Sequence, residues 1–343
     1  MTRITTFQDP PDLPPPNFDP VNIPSDAKKL EKFWLPPMPD ARMQPELYAH
    51  WREMLSPPLH FVPACTKAVN ISKPWATTLL LDMAGPDADH PHGAPAGLPV
   101  GPGPLCSANW SGAFLQASGN SSFTRVAAAW KVPSVNAGAR SALEPGDVPF
   151  RCSAWIGIDG RGGTDSMPQL GSVHMVTAQG GQRHGLWWQW WRRGYSAPDG
   201  LPHDVTGVPV DIGDRVMCSL TAISPTTMRM HFVNRTKGLF ATLQVEGAAP
   251  IEGSTVEWIL ERPADFTRAE TPTDPGPLHP LPDFGSVTMD NCAADFGTRP
   301  VPTWSPELIE MVQHFSHPDR IPVVSQPSNV GEGNTVRFTY LPP

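Results

Sequence analysis

Proline occupies 44 of the 343 positions, about one residue in eight against roughly 5 % in ordinary chains, and this limits the fold more than any other property. A proline inside a helix removes a backbone hydrogen bond and clashes with the preceding turn, so a bundle of long helices is excluded. About half of the prolines fall within residues 1–105, with PPDLPPP at 10–16 and WLPPMP at 34–39. Extended, polyproline-like chain of this kind builds no core of its own. Two short amphipathic helices are expected inside it. One spans Ser25–Trp34, with Ser25 as N-cap and Leu30, Phe33 and Trp34 apolar. The other spans Pro45–Leu55, with Pro45 at the first helical position and Leu47, Trp51 and Leu55 at i, i+4 and i+8. Stripes this short need a neighbour to bury them. Residues 1–105 therefore read as an arm packed on the rest of the chain, and 86–104 reads as a flexible linker by composition.

From Cys106 onward, short β-branched or aromatic runs alternate with Gly, Asn, Asp and Pro. Strands are expected at 123–131, 152–158, 186–192, 215–223, 227–233, 239–245, 255–261, 285–290 and 335–340. Such spacing indicates an all-β, antiparallel sandwich or barrel over 106–343. One helical insertion is expected near 305–316, with Ser305 as N-cap, Pro306 at N1, and Leu308, Ile309, Val312 and Phe315 on one face.

Several functions are disfavoured at this stage. A net charge of -8 suits no general nucleic-acid binder, which must neutralise phosphates. No apolar run approaches the roughly 20 residues that span a bilayer. The five cysteines are dispersed and form no CxxC pair, so neither a structural zinc nor a dithiol motif is supported, and Cys218 and Cys292 read as buried thiols. His90 and His92, in the linker, read as solvated rather than metal-binding. GxSxG, HExxH, Walker and GxGxxG patterns are absent. No cofactor or metal is expected.

Strand periodicity carries the positive signal, because successive side chains point to opposite faces. In 186–192, Leu186, Trp188 and Trp190 fall on one face and Trp187, Gln189 and Trp191 on the other. Large aromatics on both faces mean either a sheet buried between layers or a second face that lines a groove. In 255–261, Val256, Trp258 and Leu260 form a core triplet opposite Glu257, Ile259 and Glu261, whose carboxylates read by default as solvated. In 153–159, Trp155, Gly157 and Asp159 oppose Ala154, Ile156 and Ile158. Three strands thus offer an aromatic-plus-polar face. Periodicity alone does not say what that face does.

ANWSGAF (108–114), WKVPS (130–134), AWIGIDG (154–160), PQLG (168–171), LWWQWW (186–191), DIGDRV (211–216), NRTKG (234–238), VEWILERP (256–263) and PDFGSVTM (282–289) resemble, in order, the glutamic peptidases called eqolisins. The likeness covers about 107–341. It implies a lectin-like (concanavalin A-type) double β-sandwich and endopeptidase activity at acid pH, with a polypeptide substrate, no metal and a monomeric chain. By position, the resemblance makes Gln169 and Glu261 the catalytic dyad and Trp155, Asp159, Trp187, Gln189 and Trp191 the groove walls, while Glu257 is not the catalytic glutamate. It also gives residues 1–105 the place of a pro-segment. A secreted or acidic setting is implied, although MTRITTFQDPPDLPPP shows no apolar signal core. Three positions depart from the family pattern: Gln189 stands in place of Glu, and Gly185 and Val173 each stand in place of Asp. Their loss removes negative charge from around Glu261.

The dyad suits the chemistry. A carboxyl can serve as general acid and base, and an amide can orient water and hold an oxyanion without titrating. Two other readings use the same face. A non-catalytic module would hold a peptide or glycan against the tryptophans. A glycoside hydrolase would use Glu257 and Glu261, but residues i and i+4 of one strand lie roughly 13 Å apart, beyond the separation such enzymes use.

Overall fold

The computed structural model describes residues 5–22, 27–68, 83–84, 105–140, 146–161, 164, 166–177, 179–192, 201–265, 277–297, 304–313, 322–330 and 333–342. The arm holds β1 (Thr6–Gln8), α1 (Ala27–Lys32), α2 (Pro45–Leu55), β2 (His60–Phe61), β3 (Thr66–Ala68) and β4 (Met83–Ala84). Then follow β5 (Leu105–Ser107), β6 (Trp110–Gln116), β7 (Arg125–Lys131), β8 (Phe150–Ile158), β9 (Ser166–Val176), β10 (Gln182–Arg192), β11 (His203–Val205) and β12 (Arg215–Ser224). The remainder is β13 (Thr227–Asn234), β14 (Leu239–Glu246), β15 (Thr255–Glu261), β16 (Ser286–Asp295), β17 (Glu307–Val312), β18 (Val323–Asn329) and β19 (Val336–Tyr340).

Strand pairing is almost wholly antiparallel and forms two runs that join where β17 pairs with β18. The first is β3-β11-β10-β9-β8-β15-β6-β17. The second is β18-β19-β16-β7-β12-β13-β14, with β1 antiparallel and β2 parallel to β14. One apolar cluster draws on both. Ile156, Leu170, Trp188, Trp190, Trp258 and Leu260 from the first run meet Val126, Trp130, Cys218, Leu220, Met230, Phe232 and Leu243 from the second. These residues recur at i, i+2 along their strands, so alternation directs them to one side of each run. Buried Cys218 and Cys292 are free thiols, as expected.

Side chains between Phe18 and Phe61 pack on the far side of the second run. Leu30, Phe33, Leu35, Trp51, Met54 and Leu55 cover Ala129, Met217, Val233 and Phe240, the residues that alternate with the core set. Burying that surface stabilises helices too short to persist alone. Polar contacts fix the fit. Trp51 Nε1 donates to the Pro36 carbonyl at 2.8 Å, and the Arg229 guanidinium clasps both Glu31 oxygens at 2.7 Å. Arg215 joins Glu53 of α2 to Asp290 of β16. The expected α2 has its expected bounds, with Pro45 in the first turn. Ser25 and the linker at 86–104 lie outside the described residues.

The helix expected at 305–316 is instead strand β17. Leu308, Ile309 and Val312 fit a helical stripe, but the segment fills the gap between β6 and β18, where its backbone pairs with β5, β6 and β18. Ile309 and Met311 become fully buried there. Long-range pairing overrides the local pattern.

Candidate active site

The outer face of the first run, away from the core, carries the residues singled out in the sequence. Pairing register lays them in rows across β15, β8, β9 and β10. Glu257, Gly157, Gln169 and Gln189 form one row. Ile259, Trp155, Gly171 and Trp187 form the next. Glu261, Ser153, Val173 and Gly185 form the third. Strand β6 adds Phe114, Gly112 and Trp110 beside the three β15 residues. Trp110, Phe114, Trp155, Met167, Trp187, Trp191 and Ile259 make a second apolar cluster on this face. Tryptophan therefore packs on both sides of β10, in the main core and in this aromatic floor.

The tryptophan face is enclosed, and so is the dyad. Trp155 and Gln169 are 0 % exposed, Glu261 is 2 % and Gln189 is 3 %. Two glycines let these groups fit. A Cβ on Gly171 would stand 2.6 Å from the Trp155 Cβ, and one on Gly157 would stand 2.9 Å from the Trp155 ring. At Gly157 the indole rests where a side chain would be, and at Gly171 the backbone of β8 does.

Trp155 Nε1 donates to Glu261 Oε2 at 2.8 Å, leaving Oε1 without a partner. Trp110 packs edge-on against Trp155, with ring centres 5.0 Å apart. Burial raises the Glu261 pKa from 4.5 to about 7, and the nearby Trp155, Trp110, Arg151 and Asn109 hold back part of that rise. Gln169 Nε2 donates to Gln189 Oε1 at 2.9 Å, while Gln169 Oε1 is buried without a donor. Gln169 and Glu261 thus share one face, two strands and two rows apart. By strand spacing and rise their Cα atoms are roughly 16 Å apart, with Trp155 between them.

Asp159 has a different task from lining a groove. Its carboxylate accepts from the Glu252, Gly253 and Ser254 amides at 2.7, 3.1 and 2.7 Å and from the Ser254 hydroxyl at 3.0 Å. It thereby ties the end of β8 to the loop that enters β15. Glu257 departs from the solvated reading. It is fully buried, neither oxygen has a hydrogen-bond partner, and Thr255 is close enough only to offset burial in part. Its pKa is pushed well above the usual carboxylate range, chiefly by burial. Sequence reasoning missed Arg151, whose charge reaches Glu261. Its place was legible two positions before Ser153 and four before Trp155 in RCSAWIGID, on the same side of β8.

An aromatic-walled face carrying two protonatable carboxyls, Glu257 and Glu261, and two buried amides, Gln169 and Gln189, defines a class of sites suited to acid–base chemistry. Residues 108–337 match the model of the Peptidase A4 family, and the chain belongs to that family, the eqolisins. It is 27 % identical over 188 residues to scytalidopepsin B of Scytalidium lignicola, covering 54 % of this chain and 62 % of that protein. The chain thus matches about three fifths of that relative's length. A crystal structure of scytalido-glutamic peptidase with a transition-state analogue inhibitor superposes with a TM-score of 0.52 at 22 % identity, over 68 % of this chain and 99 % of the other. A second, with a peptide-based analogue, gives 0.54 at 21 % over the same shares. At such identities the superpositions speak for the fold.

Proposed function

We propose that the chain is an endopeptidase working in acid, with a Gln169/Glu261 dyad on a lectin-type double β-sandwich. The observation that carries this reading is the asymmetry of Glu261. One oxygen is occupied by the Trp155 indole, and the other is free on a carboxyl that keeps its proton up to about pH 7. That proton resides on Oε1. The peptide lies across the face between Glu261 and Gln169, and Gln169, two strands and two rows away, binds the substrate backbone rather than the attacking water. Glu261 gives its proton to the scissile carbonyl oxygen and, now ionised, takes one from the water as its oxygen bonds to the carbonyl carbon. The tetrahedral centre collapses when Glu261 passes a proton to the amide nitrogen and recovers one from a hydroxyl. Proton count on the carboxyl is restored. The second Gln169 N–H is the donor available to a backbone carbonyl of the bound peptide on the far side of Trp155. Trp155 and Trp187 offer apolar contact to the peptide and keep bulk water out.

Incubation with a denatured protein at pH 2–6 tests the reading, with Glu261→Gln and Gln169→Ala alongside. Cleavage by the parent, reduced about 10²-fold or more in each variant, supports it. Equal cleavage by all three refutes it. The substitution of Gln189 for the family's Glu favours a second reading, a peptide- or glycan-binding sandwich without catalysis. On that reading the parent retains a peptide or glycan column and cleaves nothing.

A further inference from the structure

Beyond the dyad, the same face continues into a cavity of about 510 Å³ whose lining includes Arg151, Val173, Arg183, Gly185, Asp204 and Val208. Arg151, Met175 and Arg183 form a cross-strand row. That row lies one side-chain repeat, roughly 7 Å, past the row of Glu261, Ser153, Val173 and Gly185. Arg151, one strand and one row from Glu261, therefore brings the edge of the cavity near the carboxyl to which the reaction is assigned.

Its chemistry is that of an anion site. Arg151 Nε is shielded from solvent and has no acceptor, a costly state for a guanidinium unless something arrives to fill it. Arg183 adds a second positive charge at the rim. Val173 and Gly185 add no charge of their own, and a Cβ on Gly185 would meet only Val173 at 3.8 Å, while the carboxylates whose charge reaches Arg151 are Asp204, Glu261 and Asp265. Asp204 is the one acidic residue of the lining, and it also feels Lys67. The valines, Met175, Leu186 and Pro209 supply apolar wall, and His184 and Thr206 are the uncharged polar side chains of the lining. A planar guanidinium set among aliphatic walls matches a carboxylate carried on a short apolar stem.

We propose that this cavity is a specificity subsite that takes a carboxylate of the peptide, with Arg151 as its anchor and Arg183 as its rim contact. The proposal rests on the peptidase reading for its position. A roughly 7 Å step equals about two residues of extended peptide, so the carboxylate belongs to a residue one or two positions from the scissile bond. It comes either from an Asp or Glu side chain or from the chain end.

Two sets of short peptides separate these sources at about pH 5.5, where a substrate carboxyl is ionised. One set has both ends blocked and differs only by Glu or Gln at a single position. The other has Gln throughout and differs only by a free or amidated C-terminus. Expected is at least a ten-fold preference in kcat/KM for Glu over Gln in the first set, or for the free acid in the second. Arg151→Met removes that preference, and Arg183→Gln, at an exposed position, weakens it without threatening the fold. Binding of the same peptides to the Glu261→Gln chain, followed by calorimetry, reads the subsite without hydrolysis. Arg151-dependent binding of the carboxylate peptide with no cleavage by the parent keeps the subsite and removes the peptidase reading. Cleavage with no carboxylate preference overturns the subsite, as does equal or absent binding of the paired peptides.

Discussion

Replacing Glu261 by Gln should make the protein more stable at neutral pH and leave its stability in acid nearly unchanged. Gln keeps the shape and an oxygen able to accept the Trp155 N–H, and it removes the titration. In the parent, Glu261 titrates near 4.5 when unfolded and at about 7 when folded. Between those values the folded chain holds a proton that the unfolded chain has released, so stability falls as pH rises. Below about pH 4.5 both states are protonated and the contribution is flat. Above about pH 7 both are ionised and the loss is complete. A displacement of about 2.5 pH units at 1.36 kcal/mol each gives a difference of about 3 kcal/mol. Urea unfolding of parent and variant at a series of pH values between 4 and 8 measures it. The variant's advantage should grow from near zero to about 3 kcal/mol over that interval, while the titration of Glu257 is common to both chains and cancels. Parallel curves for the two proteins would refute the claim that Glu261 folds away as a neutral acid.

Trp155→Phe removes the donor that favours the charged form of Glu261, so the alkaline limb of the pH–rate profile should move up by about one unit. Trp51→Ala leaves a void between the arm and the second run, where Trp51 is 3 % exposed. Thermal or urea unfolding should register a loss of about 3–5 kcal/mol, with kcat unchanged in the folded fraction. Asp159→Ala strands the amides of residues 252–254 and should cost about 2–4 kcal/mol in the same assay, with faster amide hydrogen exchange at those residues.

How far the sequence could be read differs from strand to strand, for physical reasons. β15 was legible to its bounds, because Val256, Trp258 and Leu260 alternate with Glu257, Ile259 and Glu261 and both sets are buried. β9 was not foreseen. Pro168 and Gly171 interrupt its pattern, and the strand is held by β8 and β10 on its two sides rather than by its own propensity. Gln169 was therefore found through its PQLG motif and not through periodicity. The fate of Glu257 was also beyond local reasoning, since a strand glutamate is solvated unless another part of the chain covers it. β17 shows the same dependence, as its helical stripe yielded to a vacancy created by strands far away in sequence.

The Asp159 clasp has a consequence for which acid meets the Trp155 indole. TVEWILE offers two glutamates with a common orientation, and sliding the strand by four residues would bring Glu257 to the position beneath the indole. Nothing in the zigzag of β15 itself forbids that slip, because even-numbered displacements keep every side chain on its own side. A single aspartate at the neighbouring strand's exit locks the phase, and so decides which of the twin glutamates lies under the ring.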